Sequence, residues 1–379
     1  MNTQESSTIN TELAQIDHWL ETEYTTLNLP SLSALIVHGS TPIWMKSWGF
    51  ADLTQKTPAT PDTLYGIRSV TKIFTATMLM QLCERGLLQL DDPIVRYIPE
   101  MEVIPQGIQI TLRHLVSHTS GLPIAPPCVE KMLPRPVDEL TLEDLQQLRY
   151  PTIQEVIADL PETQLRFPPG TQLHYSNLGI GLLAHALERI VQQPYEAYVT
   201  AQILRPLGMH HAMFDRGQAM GQQLATGYYA WDGKTEQAIP RLPWGAFLAA
   251  GGLYASTQDM VHFIAFQLGA TQAEHSHILT KQSLEQMRMS IFTTDKPRYV
   301  AAGVRGGSAT GWFLSSIADF PIVEHGGGDF PYVSFLALVP DLALGVFLAT
   351  NTGTHTPRIA QMAYQMLNWL VPKFQAQVS

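Results

Sequence analysis

Residues Ser69–Gly86 read SVTKIFTATMLMQLCERG, and the fold turns on this stretch. Ile73, Phe74, Ala76, Met78, Leu79, Met80 and Leu82 leave it apolar on almost every side, and Gly86 is a common stop just past a helix end. A helix of that kind is buried on most faces, so the rest of the chain must enclose it. At 379 residues the chain is long enough, as one large domain or two subdomains.

Working outward toward the N-terminus, Thr54–Pro61 is polar and proline-bearing, and two β-like runs precede it, Ser33–Val37 (SALIV) and Pro42–Ser47 (PIWMKS). His38-Gly39-Ser40-Thr41 between them signals a hairpin. Earlier still, Leu13, Ile16, Leu20 and Tyr24 recur at helical spacing within Thr11–Thr26. On the C-terminal side, Asp91 to about Pro240 is rich in helix patterns and proline turns, among them helices over Leu178–Val191 and Tyr195–Leu204. Strand patterns return at Pro331–Val339 and Ala343–Asn351 around a Pro340-Asp341 turn, and Gly326-Gly327-Gly328 is read as opening a strand. A final amphipathic helix is predicted over Pro357–Leu370.

Strands at both ends and helices between them argue for an α/β (α+β) chain. Its mainly antiparallel sheet is built from both termini and flanked by helices, with an all-helical subdomain inserted. The expected division is one catalytic unit, 1–379. Residues 1–66 with 245–379 form the sheet subdomain, and 67–244 form the mainly helical one.

A formal charge of −10 and the lack of any basic run exclude a nucleic-acid role, because phosphate binding needs clustered Lys and Arg. No stretch approaches the ~20 apolar residues that span a bilayer. The N-terminal MNTQESSTIN lacks the basic-then-apolar order of a secretory signal. Only two cysteines are present, Cys83 and Cys128, read as unpaired thiols. A cytoplasmic location is the expectation, with a secreted or periplasmic mature form left open.

Three short elements carry chemistry. In Ser69-Val70-Thr71-Lys72 the serine and lysine are three apart and share a helix face. A serine needs a neighbouring base or charge to become a nucleophile. At a helix start it also meets free backbone N–H groups and the positive end of the dipole. Burial disfavours the charged form of an amine, which suits a lysine to accept protons. The plainer reading of S-x-x-K is a surface serine and lysine, but an unusually apolar helix is a poor place for a solvated lysine. Tyr175-Ser176-Asn177 follows Phe167-Pro168-Pro169-Gly170 and precedes a helix; it offers a phenol for proton relay and an amide to orient lysine or substrate. His325-Gly326-Gly327-Gly328 would let a substrate carbonyl approach the backbone of an edge strand closely. One of those N–H groups could join that of Ser69 in an oxyanion hole.

With these elements in this order, the chain resembles the serine β-lactamase-related hydrolases: class C β-lactamases, family VIII-type esterases and DD-peptidase relatives. The likeness extends to Thr111–Leu122 (TLRHLVSHTSGL), Phe167–Leu182 (FPPGTQLHYSNLGIGL), Leu204–Met209 (LRPLGM), Ala249–Asp259 (AAGGLYASTQD) and His325–Asn351, covering roughly residues 11 to 370. By resemblance, Ser69 is the acylated nucleophile, Lys72 its partner and Tyr175 the general base of both half-reactions. Asn177 would bond substrate or Lys72. His325-Gly326-Gly327 stands where the lactamases have Lys-Thr-Gly, and Gly328 would supply the second oxyanion N–H. His325 departs from the lactamase pattern, since a neutral imidazole followed by glycine holds a drug carboxylate poorly. Cleavage of esters, short peptides or amides is therefore expected ahead of β-lactam turnover.

No cofactor or metal is implied. His114 and His118 are four apart, but H-E-x-x-H needs Glu where Leu115 stands. His275-Ser276-His277 has no third ligand in view and reads as surface loop. Gly66-Ile67-Arg68-Ser69-Val70 lacks the second glycine of a nucleophile elbow. Pro243-Trp244 and Trp312-Phe313 are candidates for the cleft wall or the core. The expected partner is a small ester, amide or peptide. An acyltransferase using the same Ser69 intermediate, a true β-lactamase and a non-catalytic binding protein remain the alternatives. The oligomeric state is not legible.

Overall fold

A computed structural model of the chain describes residues 3–104, 110–132, 141–214, 224–230, 236–238, 243–295, 306–329, 331–353 and 356–378. Its centre is a nine-stranded antiparallel sheet built from both ends of the sequence. From one edge to the other the strands are Thr57–Pro58, Thr41–Asp52, Ser31–His38, Leu344–Thr350, Tyr332–Val339, Phe320–Asp329, Phe313–Ile317, Gly306–Ser308 and Phe292–Thr294. The hairpin forms where it was expected, with Gly39 at φ +60° in its turn.

From Ala34 to Val37 the strand is continuously apolar because both of its faces are covered. Leu32, Ala34 and Ile36 point to one core with the helices Thr3–Thr26 and Thr356–Val378; Leu35 and Val37 point to the other. The same alternation sends Phe335 and Ala337 to the first core and Leu336 and Leu338 to the second. Each leucine, isoleucine, valine or phenylalanine among them, fully buried, contributes roughly 1.5–3 kcal/mol.

The second core contains the helix Thr71–Glu84, in which every residue from Thr71 to Leu82 is buried. Its charged end leaves at Arg85, and Gly86 takes φ +69°. Between the two arms of the sheet lie the helices Leu112–Val116, Asn177–Val191 and Tyr195–Val199, the last continuing as a wider turn over Thr200–Leu204. This middle stretch also contributes Met213–Phe214 to a small sheet with Tyr65–Gly66 and Leu253–Ala255. Strands of two or three residues show no period to read in sequence, and this sheet was not anticipated. Cys83 and Cys128 are free thiols, each pushed up to about 11, first by burial. Among the described residues, no helix is long and apolar enough to cross a membrane.

One expectation needs correction. Gly326-Gly327-Gly328 does not open a strand; it forms the far half of Phe320–Asp329, which has a neighbour on each side. Yet pairing with the outer neighbour ends at Glu324↔Phe313, and among the described residues Gly326, Gly327 and Gly328 pair inward, with Phe335, Ser334 and Val333. Over the glycines the strand is locally an edge.

Candidate active site

Ser69 lies not in the first α-turn but in a 3-10 turn, Arg68–Val70, just before the helix begins at Thr71. Three ties hold that turn. Ser334 Oγ donates to Ile67 O at 2.6 Å, Ile67 N donates to Leu253 O at 3.0 Å, and Leu253 N donates to Thr71 Oγ1 at 3.2 Å. Arg68 adopts φ +52°, a region costly for a side chain. Its buried guanidinium faces the rings of Tyr332, Trp244 and Tyr254 at 4.7, 5.0 and 5.8 Å. Gly327 must be glycine here, because a Cβ on it would come within 2.2 Å of Ile67 O.

Around Ser69 Oγ the expected residues converge. Lys72, fully buried, donates from Nζ to Ser69 Oγ at 3.0 Å and to the carbonyl of Ala250 at 2.6 Å. Tyr175 OH donates to Ser69 Oγ at 2.6 Å, and the Lys72 ammonium lies 4.8 Å from the Tyr175 ring centre. Tyr175 directly precedes Ser176, which caps the next helix: Ser176 Oγ accepts from Gly179 N at 2.9 Å and donates to Pro123 O at 2.7 Å. That cap points the phenol across to a serine 106 residues earlier in the chain.

The hydroxyl opens into a cleft of about 390 Å³ whose lining includes Arg68, Asn177, Tyr150, Trp244, Phe247 and the three glycines 326–328. Asn177 Oδ1 is buried and, among the described residues, takes no hydrogen bond from Lys72 or any other. Tyr150 stacks on Trp244 at 5.2 Å and meets Phe247 edge-on at 5.4 Å, forming an aromatic wall. His325 does not line the cleft. It is 1 % exposed, its Nδ1–H donates to Gly326 O at 2.8 Å, and its ring packs behind Phe313 and Tyr175 at 5.2 and 6.3 Å.

Sequence reasoning overlooked two contributors. The Ala250 carbonyl is a backbone group with no side-chain signature. His118, weighed above only as a metal ligand, lies with its ring centre 4.5 Å from that of Tyr175. His114 Nδ1 accepts from Thr111 N at 3.2 Å in a reciprocal helix cap, a use that needs no metal. Trp312 belongs to the core, whereas Trp244 reaches the cleft.

An antiparallel sheet covered by helices on both faces, with a serine–lysine pair at the head of a buried helix, defines the class of β-lactamase-like and penicillin-binding proteins. The chain belongs to the β-lactamase family, whose sequence profile matches residues 16–368. Its fold is similar to that of the octameric penicillin-binding protein homologue from Pyrococcus abyssi, with a TM-score of 0.77 and 25 % identity, covering 94 % of this chain and 77 % of that one. Protein flp of Staphylococcus aureus (strain N315) is 27 % identical over 356 residues, or 93 % of this chain, which spans 66 % of that protein's length. A human protein, putative beta-lactamase-like 1, is 27 % identical over 369 residues, covering 94 % of this chain and 68 % of that protein.

Proposed function

We propose that the chain is a serine hydrolase that cleaves an ester, amide or short peptide through an acyl group carried on Ser69. The observation that carries this reading is the double hydrogen bond at one oxygen, where Ser69 Oγ meets both Lys72 Nζ and Tyr175 OH. Family membership supports it.

In the reactive protonation state the 2.6 Å line between the two oxygens runs the other way, with Ser69 donating and the phenol oxygen accepting. Lys72 stabilises the negative charge left on either oxygen, and the Ala250 carbonyl keeps its ammonium aimed there. Ser69 Oγ then attacks the acyl carbon. The new oxyanion faces the backbone N–H groups of Ser69 and Gly328, donors already oriented before charge develops. Tyr175 returns the proton to the departing alcohol or amine. Water enters by the same route, losing its proton to Tyr175, which passes it to Ser69 Oγ as the acyl–Ser69 bond breaks. Asn177 lines the cleft and offers its side-chain NH2 to a substrate carbonyl. Aromatic lining at Tyr150, Trp244 and Phe247 suits an apolar group, and the side chain at 325, buried behind the phenol, offers no grip on a β-lactam carboxylate; both favour esters and amides over β-lactams.

The test is Ser69→Ala together with active-site labelling. The substitution should lower ester hydrolysis by about three orders of magnitude or more, since the covalent route is lost. A fluorescent phosphonate should label wild type at Ser69 alone. Labelling at Ser120 or Ser176 instead would reject the assignment.

A further inference from the structure

We propose that His118 is a positioning residue that holds Tyr175 in line with Ser69; the inference rests on the reading of Tyr175 as the proton carrier. His118 occupies the first position past the end of the helix Leu112–Val116, beyond the capping residue Ser117. Its own N–H donates to Leu115 O at 3.3 Å, and the next N–H, that of Thr119, donates to His114 O at 2.9 Å. This pair of bonds is the Schellman ending, in which the left-handed position is usually glycine. Here φ is +61° on a histidine, so the backbone would be better served by a residue without a side chain.

What the side chain does instead lies around one residue. The His118 carbonyl accepts from His174 N at 2.9 Å, and His118 Nδ1 accepts from Ser176 N at 3.2 Å. Both neighbours of Tyr175 are thus held by one residue. Between these bonds the imidazole lies against the phenol ring, centres 4.5 Å apart and planes at 43°, with Phe313 also against the imidazole at 5.8 Å. An Nδ1 that accepts leaves the ring proton on Nε2, so this is a neutral imidazole serving as an acceptor and a packing surface. At 3 % exposure His118 is not offered to substrate, and its influence on chemistry runs through Tyr175. A displaced phenol lengthens its 2.6 Å bond to Ser69 Oγ and turns it off line, which weakens the proton path.

Three variants separate the contributions. His118→Gly suits the backbone and removes the side chain. His118→Asn tolerates the left-handed conformation and restores an acceptor for Ser176 N–H. His118→Phe keeps a ring without the acceptor. Each is measured for thermal midpoint, for kcat and KM on a neutral p-nitrophenyl ester, and again in a Tyr175→Phe background. His118→Gly should fold and keep KM while kcat falls about 10- to 100-fold, the usual effect of misplacing a reacting group. His118→Asn should recover a large part of that loss and His118→Phe less. In the Tyr175→Phe background the His118→Gly effect should shrink to less than about twofold, since there is no phenolic proton left to position. A folded His118→Gly with wild-type kcat, or a loss of equal size in both backgrounds, overturns the proposal. Full activity of Tyr175→Phe alone overturns the reading of Tyr175 itself, a different result on a different variant.

Discussion

Lys72 Nζ donates to the carbonyl oxygen of Ala250 at 2.6 Å, closer than the 3.0 Å of its bond to Ser69 Oγ. The ammonium is thus aimed by a backbone group 178 residues further along the chain. Thr75 makes the parallel contact one helical turn on, donating from Oγ1 to Ala249 O at 2.7 Å. Together the two bonds bolt the short helix Leu248–Gly251 to the Ser69 helix.

Lys72→Met preserves side-chain length and removes the charge. Ester hydrolysis should fall about 10³-fold or more, as when one member of a catalytic unit is removed. The orphaned Ala250 carbonyl should cost about 1–3 kcal/mol of stability. Stopped-flow acylation and a thermal melt read the two effects separately. Near-normal acylation would show that Tyr175 works without Lys72.

His325 sits behind Tyr175 and outside the cleft, so it should affect rate and not the choice of substrate charge. His325→Gln is expected to lower kcat for neutral and carboxylate-bearing esters alike, leaving the ratio of their kcat/KM values within about twofold of wild type. The same ratio should stay flat as pH falls toward 6, where a histidine in contact with a substrate anion would favour the acid. A ratio that moves would mean that the imidazole reaches the substrate.

Trp244 is clamped by Tyr150 on one face, by Arg68 at 5.0 Å, and by Gly251, where a Cβ would come within 2.7 Å of its ring. A ring held so firmly presents a preformed surface. Trp244→Ala should raise KM for esters of aromatic or long acyl chains about tenfold, given the ~0.5–1.5 kcal/mol that such ring contacts add beyond the area they bury. Acetate esters should hardly change. Equal losses on both would place Trp244 in the core and not in the binding surface.

Gly327→Ala tests the close approach of the glycine strand to the Ser69 turn. The new methyl would fall 2.2 Å from Ile67 O and 2.6 Å from Ser334 Oγ, so the strand must shift. Overpacking of this kind costs about 1–3 kcal/mol, and activity should drop with it. Gly39→Ala is the comparison: φ is +60°, nothing lies within 4 Å of the added Cβ, and activity should be untouched. If Gly327→Ala were equally silent, the strand would be free to move away from Ser69.

The serine–lysine pair was legible because three residues of helical chain set its geometry, and helical spacing survives in any fold. The long elements were legible for a related reason. SALIV and the helix after Ser69 are buried on all sides, and continuous apolarity is written residue by residue. Phe313–Ile317 went unread although its burial alternates, since five residues with two serines resemble a loop. The glycine run was read at the wrong end of its strand, because glycine marks a close approach without saying which neighbour approaches.

By itself, then, the sequence determined which residues are equipped for the chemistry, and that a buried helix carries Lys72 with Ser69 at its head. Local spacing and hydrophobic pattern are properties of neighbouring residues. Tertiary structure alone decided what meets Ser69 from a distance: Tyr175 from 106 residues away, the Ala250 carbonyl that aims Lys72, and the burial of His325 behind the phenol it was expected to work beside. Those contacts depend on the packing of segments far apart in the chain. A backbone carbonyl, or the ångström that separates a cleft wall from a core, leaves no mark on residue type.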